Sequence, residues 1–189
     1  MTGLKFRGKT DLSKIYGIEV QQEVAEMAQR SVKLNNLENR FEIINKNIKD
    51  LESVFDKNSF DFIITNPPYK KMDTGKTNEN SKKLISRHEI TATLKDFIKI
   101  SYIMLKDKGT LYMVHKPERL VDIIYQLRKN KIEPKEIRFV HPYEKKEPNL
   151  ILIKAVKNGG QFLKIDKPLY VYNERGEYTE EILKIYNKM

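Results

Sequence analysis

The sequence predicts an α/β fold, a doubly wound sheet within one domain that covers residues 1–189. Short runs rich in β-branched and aromatic residues alternate with stretches in which apolar residues recur at helical spacing. A chain of 189 residues has the length of a single domain. Although 33% of the residues are charged, ten Tyr and eight Phe can build a core, so wholesale disorder is not expected.

The first third of the chain contains three predicted strands and two predicted helices. Residues 14–20 (KIYGIEV) predict a strand, and the apolar spacing of residues 21–36 predicts a helix that two asparagines end. Residues 40–45 (RFEIIN) predict a second strand, and residues 49–55 a short helix. Residues 59–65 (SFDFIIT) predict a third strand, whose nearly continuous apolar run is typical of a buried parallel strand.

A long polar loop separates these elements from the rest of the chain. Residues 66–87 show no hydrophobic period and carry six basic residues against two acidic ones. A loop of this length is usually functional or disordered. Beyond it we expect a helix over 93–105, a strand over 110–115, a helix over 117–130, strands over 136–141 and 149–156, an extended segment over 162–173 and a terminal helix over 178–187.

The charge and composition narrow the function. A formal net charge of +10 favours polyanionic partners, above all nucleic acid, although a solvated lysine-rich surface would give the same excess. Without Cys there is no disulfide, zinc–thiolate site or Cys nucleophile, and three scattered histidines predict no metal site. No apolar run approaches the ~20 residues that span a bilayer, and the N-terminus lacks the apolar centre of a signal peptide. We therefore expect a cytoplasmic protein without membrane contact.

The strand over residues 59–65 runs directly into Asn66-Pro67-Pro68-Tyr69. This motif suits the methylation of an exocyclic amine on an aromatic ring. Such an amine is a poor nucleophile, because its lone pair is delocalised. The Asn66 side-chain oxygen and the Pro67 carbonyl can both accept its N–H bonds, which would localise the lone pair toward a methyl donor, while Tyr69 stacks on the ring. A rigid strand-to-loop turn is the alternative interpretation, but the preceding strand favours catalysis.

Two other strand ends carry candidate ligands for a nucleoside. Glu19 ends the first strand, and an acidic residue at this place in a nucleotide-binding α/β unit binds ribose hydroxyls. Alone, it could equally be an exposed charge. Asn47 and Ile48 follow the second strand, where a polar and an apolar group could hold an adenine ring.

Seven stretches together suggest a family. They are IYGIEV (15–20), AEMAQRSVKLNNL (25–37), DFIITNPPY (61–69), SRHEI (86–90), MVHKPERLVDII (113–124), FVHPYEKKEPNLILI (139–153) and VYNERGEYTEEI (171–182). With them the chain resembles class I S-adenosylmethionine-dependent methyltransferases, and more narrowly the bacterial tRNA(Val) adenine-37 N6-methyltransferase family. The NPPY motif alone is shared with DNA adenine and release-factor glutamine methyltransferases, whereas the stretches at 86–90, 113–124 and 171–182 are narrower.

The resemblance implies a Rossmann-like methyltransferase sheet and S-adenosylmethionine as the cofactor. Glu19 would bind the donor ribose, Asn47 and Ile48 the donor adenine, and the catalytic residues Asn66 to Tyr69 the target amine, with Asn66 also at the donor. The family more often has Gly-Asp where this chain has Lys46-Asn47, and a neutral Asn binds an amine more weakly than a carboxylate does.

The resemblance also implies a difference at the start of the chain. Members of this family begin with a strand and a Gly-rich loop that hold the methionine part of the donor, and this strand lies in the sheet between those predicted at Lys14 and Ser59. The sequence starts near the end of that loop, so relative to the family we expect a shortened N-terminus. The first strand would be missing or rebuilt, and the donor would bind weakly or not at all. A homodimer would close the gap between the two strands.

The implied reaction is N6-methylation of an adenine in RNA, above all tRNA, with the base extruded from a single-stranded loop onto Tyr69. Basic residues around the motif would hold the phosphates. They are Lys70, Lys71, Lys82, Lys83, Arg87, His88, His115, Lys116 and Arg119.

Two other functions remain open. A catalytically inactive RNA-binding or scaffold protein would explain a missing Gly-rich loop, and a measurement of donor binding would separate it from an enzyme. Methylation of a protein glutamine amide, which is also planar, is the third function. That family carries a helical N-terminal recognition domain that this sequence lacks, and its acidic protein partner would not require so basic a loop.

Overall fold

The computed structural model describes residues 14–69 and 92–187, which divide into two compact units, one up to Ile48 and one from Lys49 onward. The expected single domain stays a prediction. No helix in these described ranges is long and apolar enough to cross a bilayer.

The described elements are β1 (Ile15–Glu19), α1 (Gln22–Leu34), β2 (Phe41–Asn45), a 3₁₀ helix (Ile48–Ser53), β3 (Phe60–Thr65), α2 (Leu94–Met104), β4 (Leu105–His115), a second 3₁₀ helix (Pro117–Arg119), α3 (Leu120–Lys129), β5 (Ile132–His141), β6 (Leu150–Lys157), β7 (Lys164–Ile165), β8 (Leu169–Tyr170) and α4 (Glu180–Ile185).

The first unit contains a parallel strand–helix–strand motif. β1 and β2 pair in parallel, with Ile15 opposite Phe41 and Glu19 opposite Asn45. The connecting helix α1 buries Ala25 and presents a largely polar surface elsewhere. The parallel motif that the sequence predicts over this part of the chain is confirmed.

The second unit contains a six-stranded mixed sheet in the order β3-β4-β6-β5-β7, with β8 also paired to β5. β3 and β4 are parallel, whereas β6 runs antiparallel to both β4 and β5. Only eight residues connect β5 to β6, too few for a crossover helix, so these two strands pair as an antiparallel hairpin. Among the described residues β1 pairs only with β2 and β3 only with β4.

Some elements begin or end away from their predicted bounds. β4 starts at Leu105 rather than at residue 110, and a register shift between Phe60 and Phe62 of β3 accommodates the extra residues. The helix predicted from Pro117 begins as a 3₁₀ helix and continues as α3. Proline has no N–H and is tolerated in such a first turn.

The core of the second unit lies between its sheet and the helices α2 and α3. α2 begins with a capping box, in which Asp96 Oδ2 accepts the Thr93 N–H at 2.8 Å and Thr93 Oγ1 accepts the Asp96 N–H at 3.3 Å. Ile98, Ile123 and Leu127 on these helices are completely buried. Their partners on the strands include Leu111, Met113, Ile132, Ile137, Ile151 and Ile153.

Lys157 at the end of β6 is a buried cation that fixes β6 to the junction of α2 and β4. Its Nζ donates to the carbonyls of Tyr102 at 2.6 Å and Leu105 at 2.7 Å, and to Asn58 Oδ1 at 2.7 Å. Nζ also lies 4.3 Å from the centroid of the Tyr102 ring. Burial lowers the pKa of Lys157, and the three acceptors replace the water that the ammonium loses.

We expect Lys157→Met to lower the free energy of unfolding by roughly 1–3 kcal/mol, because it keeps the apolar stem but leaves buried acceptors without a donor. Urea unfolding followed by circular dichroism measures the loss. Lys154→Met on the same strand is the matched control, since its ammonium forms a partly exposed pair with Glu136, and such pairs contribute below about 1 kcal/mol. Equal losses in the two variants would contradict the role given to Lys157.

Candidate active site

The Asn66-Pro67-Pro68-Tyr69 turn leaves the carboxyl end of β3, as the sequence predicts. Pro67 is buried, Tyr69 is half-buried, and Asn66 and Pro68 are exposed. Thr65 pairs with Met113 of the parallel strand β4, so both strands end at the same edge of the sheet. Ligands of α/β proteins bind at this edge.

Tyr69, His115, Lys116 and Arg119 form a cluster at this edge, which we call the Tyr69 cluster. The Tyr69 and His115 rings meet at 66° with centroids 5.0 Å apart, an edge-to-face contact. Lys116 Nζ lies 5.7 Å from the Tyr69 centroid. Arg119 Nη1 donates to the Tyr69 carbonyl at 3.4 Å, and its Nε donates to Asp122 at 2.8 Å. The structure therefore brings three of the predicted RNA-binding residues directly to Tyr69.

His115 is completely buried, and RNA binding by this residue stays a prediction. Its Nδ1 accepts the backbone N–H of Lys116 at 2.8 Å. Burial lowers the pKa of His115, and the positive charge of Arg119 lowers it further. The ring is therefore neutral near pH 7, and because Nδ1 is an acceptor, the proton is on Nε2.

Arg119 and Lys116 differ in what they can still bind. The Arg119 side chain is only 16% exposed and pairs with Asp122 and the Tyr69 carbonyl, so it contributes to holding the turn, while its binding to RNA stays a prediction. RNA binding by the half-exposed Lys116 stays a prediction. The other predicted RNA-binding residues lie outside the described residues, and predictions for them remain untested: Lys70, Lys71, Lys82, Lys83, Arg87 and His88.

In the first unit, the predicted ribose ligand lies at the carboxyl end of β1. Glu19 Oε1 accepts the N–H of Gln21 at 2.9 Å, which holds the carboxylate at the start of α1. Asn45 Nδ2 donates to the carbonyls of Glu19 at 2.8 Å and Val20 at 3.1 Å. This role of Asn45 was not predicted from the sequence, although an Asn that ends a strand beside a predicted ligand could have suggested it.

The predicted adenine ligands lie just beyond the end of β2. Asn47 and Ile48 are both half-buried, and Ile48 begins the first 3₁₀ helix. They follow the strand that pairs with the Glu19 strand, so the donor ligands predicted in this unit share one sheet edge. Within the described ranges no group of three or more His, Asp or Glu side chains could hold a metal ion.

A family model described as the Eco57I restriction-modification methylase matches residues 13–147, which is most of the chain. The chain belongs to this family. The matched segment includes both strand ends of the first unit, the turn at Asn66 and the Tyr69 cluster. The candidate site residues therefore lie within the segment that matches the family.

This chain is also similar to individual curated proteins. It is 27% identical over 142 residues to the tRNA1(Val) (adenine(37)-N6)-methyltransferase of Porphyromonas gingivalis, an alignment that covers 74% of this chain and 55% of the relative. The chain thus spans about half the length of that relative.

Solved structures show the same fold. A protein described as a predicted O-methyltransferase from Agrobacterium tumefaciens superposes with a TM-score of 0.73 at 20% identity, over 92% of this chain and 77% of that one. A SAM-dependent methyltransferase from Aquifex aeolicus superposes with a TM-score of 0.53 at 16% identity, over 76% of this chain and 69% of that one. The predicted Rossmann-like methyltransferase fold is confirmed.

Proposed function

We propose that the protein transfers a methyl group from S-adenosylmethionine to N6 of an adenine in RNA, and that this RNA is a tRNA. The observation that carries the proposal is the Asn66-Pro67-Pro68-Tyr69 turn at the carboxyl end of β3, with an exposed Asn66 and a Tyr69 ring fixed by its neighbours. Membership of the Eco57I methylase family, the name of the P. gingivalis relative and the net charge of +10 all support it.

The residues at the turn account for binding and activation of the target base. An extruded adenine stacks on Tyr69, where Lys116 is close enough to pair with the phosphate of the same nucleotide. The Asn66 side-chain oxygen and the Pro67 carbonyl accept the two N–H bonds of the adenine amine, which localises its lone pair. S-adenosylmethionine, when bound, supplies an electrophilic methyl group. As the new N–C bond forms, the C–S bond breaks with its electrons remaining on sulfur, and the nitrogen releases one proton.

The first unit offers groups that fit the nucleoside part of the donor. A carboxylate at the end of β1 can accept from both ribose hydroxyls, and Glu19 is held there by its bond to the Gln21 N–H. Asn47 and Ile48 combine an amide with an apolar side chain, a combination that suits an adenine ring.

Glu19→Ala should weaken the affinity for S-adenosylmethionine by about tenfold or more, because a charge-assisted hydrogen bond is lost. Isothermal titration calorimetry with the donor alone measures it. Glu42→Ala is the matched control, since it removes the same charge from β2. Glu42 lies opposite Tyr16 in the sheet and forms an ion pair with Lys14. If Glu19→Ala bound the donor as tightly as Glu42→Ala, the ribose assignment would be wrong.

DNA is the second candidate substrate, because the matching family is described as a restriction-modification methylase. A competition assay distinguishes the two candidate substrates. The protein receives a methyl-labelled donor with equal concentrations of an unmodified tRNA transcript and duplex DNA of the same sequence. We expect label in the tRNA at least about tenfold above that in the DNA, a difference of about 1.4 kcal/mol. Label mainly in DNA would establish the second candidate. If neither polymer were labelled, both proposals would fail and an RNA-binding protein without catalysis would remain.

A further inference from the structure

The turn that carries the proposed chemistry cannot hold itself in place through its own backbone donors. Pro67 and Pro68 have no N–H, so two consecutive residues offer only carbonyl oxygens. Two side chains from the end of β4 and the segment after it contact the last residue of this turn. Arg119 donates to the Tyr69 carbonyl, and the buried His115 ring lies against Tyr69.

His115 has the orientation and protonation needed to support this turn. The bond from the Lys116 N–H to Nδ1 fixes the ring relative to β4 and leaves the proton on Nε2. Nε2 is buried and has no hydrogen-bond partner of full geometry among the described residues. The Pro68 backbone also approaches the ring and favours a proton on it. A small shift of the turn would complete the bond from Nε2–H to the Pro68 carbonyl and so satisfy the buried Nε2–H.

We infer that His115 is a positioning residue, which holds the Asn66–Tyr69 turn through the Pro68 carbonyl and sets the orientation of the Tyr69 ring. The inference deepens the proposed function and rests on it, because the turn matters for chemistry only if it binds the target base. His115 itself contacts neither substrate nor donor. If His115 only filled space in the core, an apolar residue of similar size could replace it without any change in the order of the turn.

A single tryptophan can report on the turn without donor or RNA. The chain has no Trp, so Tyr69→Trp places the sole indole at the ring position that His115 contacts. Time-resolved fluorescence anisotropy then separates fast local motion of this side chain from tumbling of the whole protein. His115→Leu, His115→Asn and His115→Gln are made in this background, and circular dichroism with urea unfolding establishes that each variant is folded.

The three substitutions distinguish the role of Nδ1 from the role of Nε2. The Asn oxygen reaches the place of Nδ1 and can accept the Lys116 N–H, whereas the Gln amide nitrogen reaches the place of Nε2 and can donate to the Pro68 carbonyl. We expect His115→Leu and His115→Asn to increase the amplitude of nanosecond motion at position 69 by about twofold, and His115→Gln to stay close to the parent. If all three variants matched the parent, or if Asn preserved order where Gln did not, the inference would be overturned. Should the Leu variant not fold, the Asn and Gln pair decides the question.

Steady-state kinetics distinguishes a positioning role of His115 from a purely structural one. In the otherwise native chain, His115→Leu should lower kcat for RNA methylation about tenfold or more while KM for the donor stays within about twofold, and His115→Gln should recover most of the loss. A proportionate loss in all variants would indicate general destabilisation and contradict positioning. The anisotropy result requires no turnover, so failure of the proposed methylation is distinguished from failure of this inference.

Discussion

Asn66→Ala should lower kcat for methylation of RNA by roughly 100–1,000-fold, the effect of removing one preorganised polar group aimed at the reacting atoms. Asn66 is exposed at the end of β3, where its side-chain oxygen can accept a hydrogen bond from the target amine. Alanine retains the turn, which Pro67 and Pro68 fix, but removes this acceptor. The measurement is transfer of labelled methyl groups to a tRNA transcript at saturating donor and RNA.

Asn66→Asp is the informative control for this effect. It keeps an oxygen acceptor at the same place, so its activity should lie between those of the parent and Asn66→Ala. RNA affinity in the absence of donor should be the same in all three proteins, because the phosphate contacts lie elsewhere. If Asn66→Ala kept more than about a tenth of the parental kcat, a loss below about 1.4 kcal/mol, the amide would have no direct part in activation of the amine.

The second large effect is expected at Tyr69. Tyr69→Ala should abolish measurable turnover, because the extruded base loses a stacking partner that contributes roughly 1–3 kcal/mol and the reacting nitrogen is then poorly oriented. Tyr69→Phe keeps the ring and should retain most of the activity. Both variants should leave the dependence of RNA affinity on salt unchanged, because stacking is not ionic. Filter binding of a tRNA transcript across a salt series, with parallel methylation assays, tests both expectations.

Lys116→Ala is the matched variant, which should change the salt dependence of RNA affinity that the Tyr69 variants leave unchanged. Its ammonium is the cation at the Tyr69 ring, so its removal should weaken binding to all RNAs and reduce the salt slope by about one unit. If Tyr69→Ala changed the slope and Lys116→Ala did not, the roles assigned to these two residues would be incorrect.

The sequence predicted the strands and the turn because their signals are local. An apolar run followed by Asn66-Pro67-Pro68 is visible in nine or ten consecutive residues, and the periods of strands and helices require no long-range information. The start of β4 at Leu105 was missed because it depends on the register with β3 rather than on the residues around it.

The Tyr69 cluster could not be predicted in the same way, because its members come from segments far apart in the chain. His115, Lys116 and Arg119 were grouped as phosphate ligands because all three are polar or basic and stand close together in sequence. In the structure His115 is buried and Arg119 is engaged with the turn. One signal for His115 was present, since it continues the inward-facing alternation of Leu111 and Met113 along β4.

The most direct test of this account is the identity of the atom that receives the methyl group. An unmodified tRNA transcript is incubated with the protein and S-adenosylmethionine, digested to nucleosides and analysed by mass spectrometry against methylated adenosine standards. We expect N6-methyladenosine that requires the donor and forms roughly 100–1,000-fold more slowly with Asn66→Ala. Methylation of any other atom of the nucleoside, or formation of N6-methyladenosine by Asn66→Ala at the parental rate, would contradict the proposed chemistry.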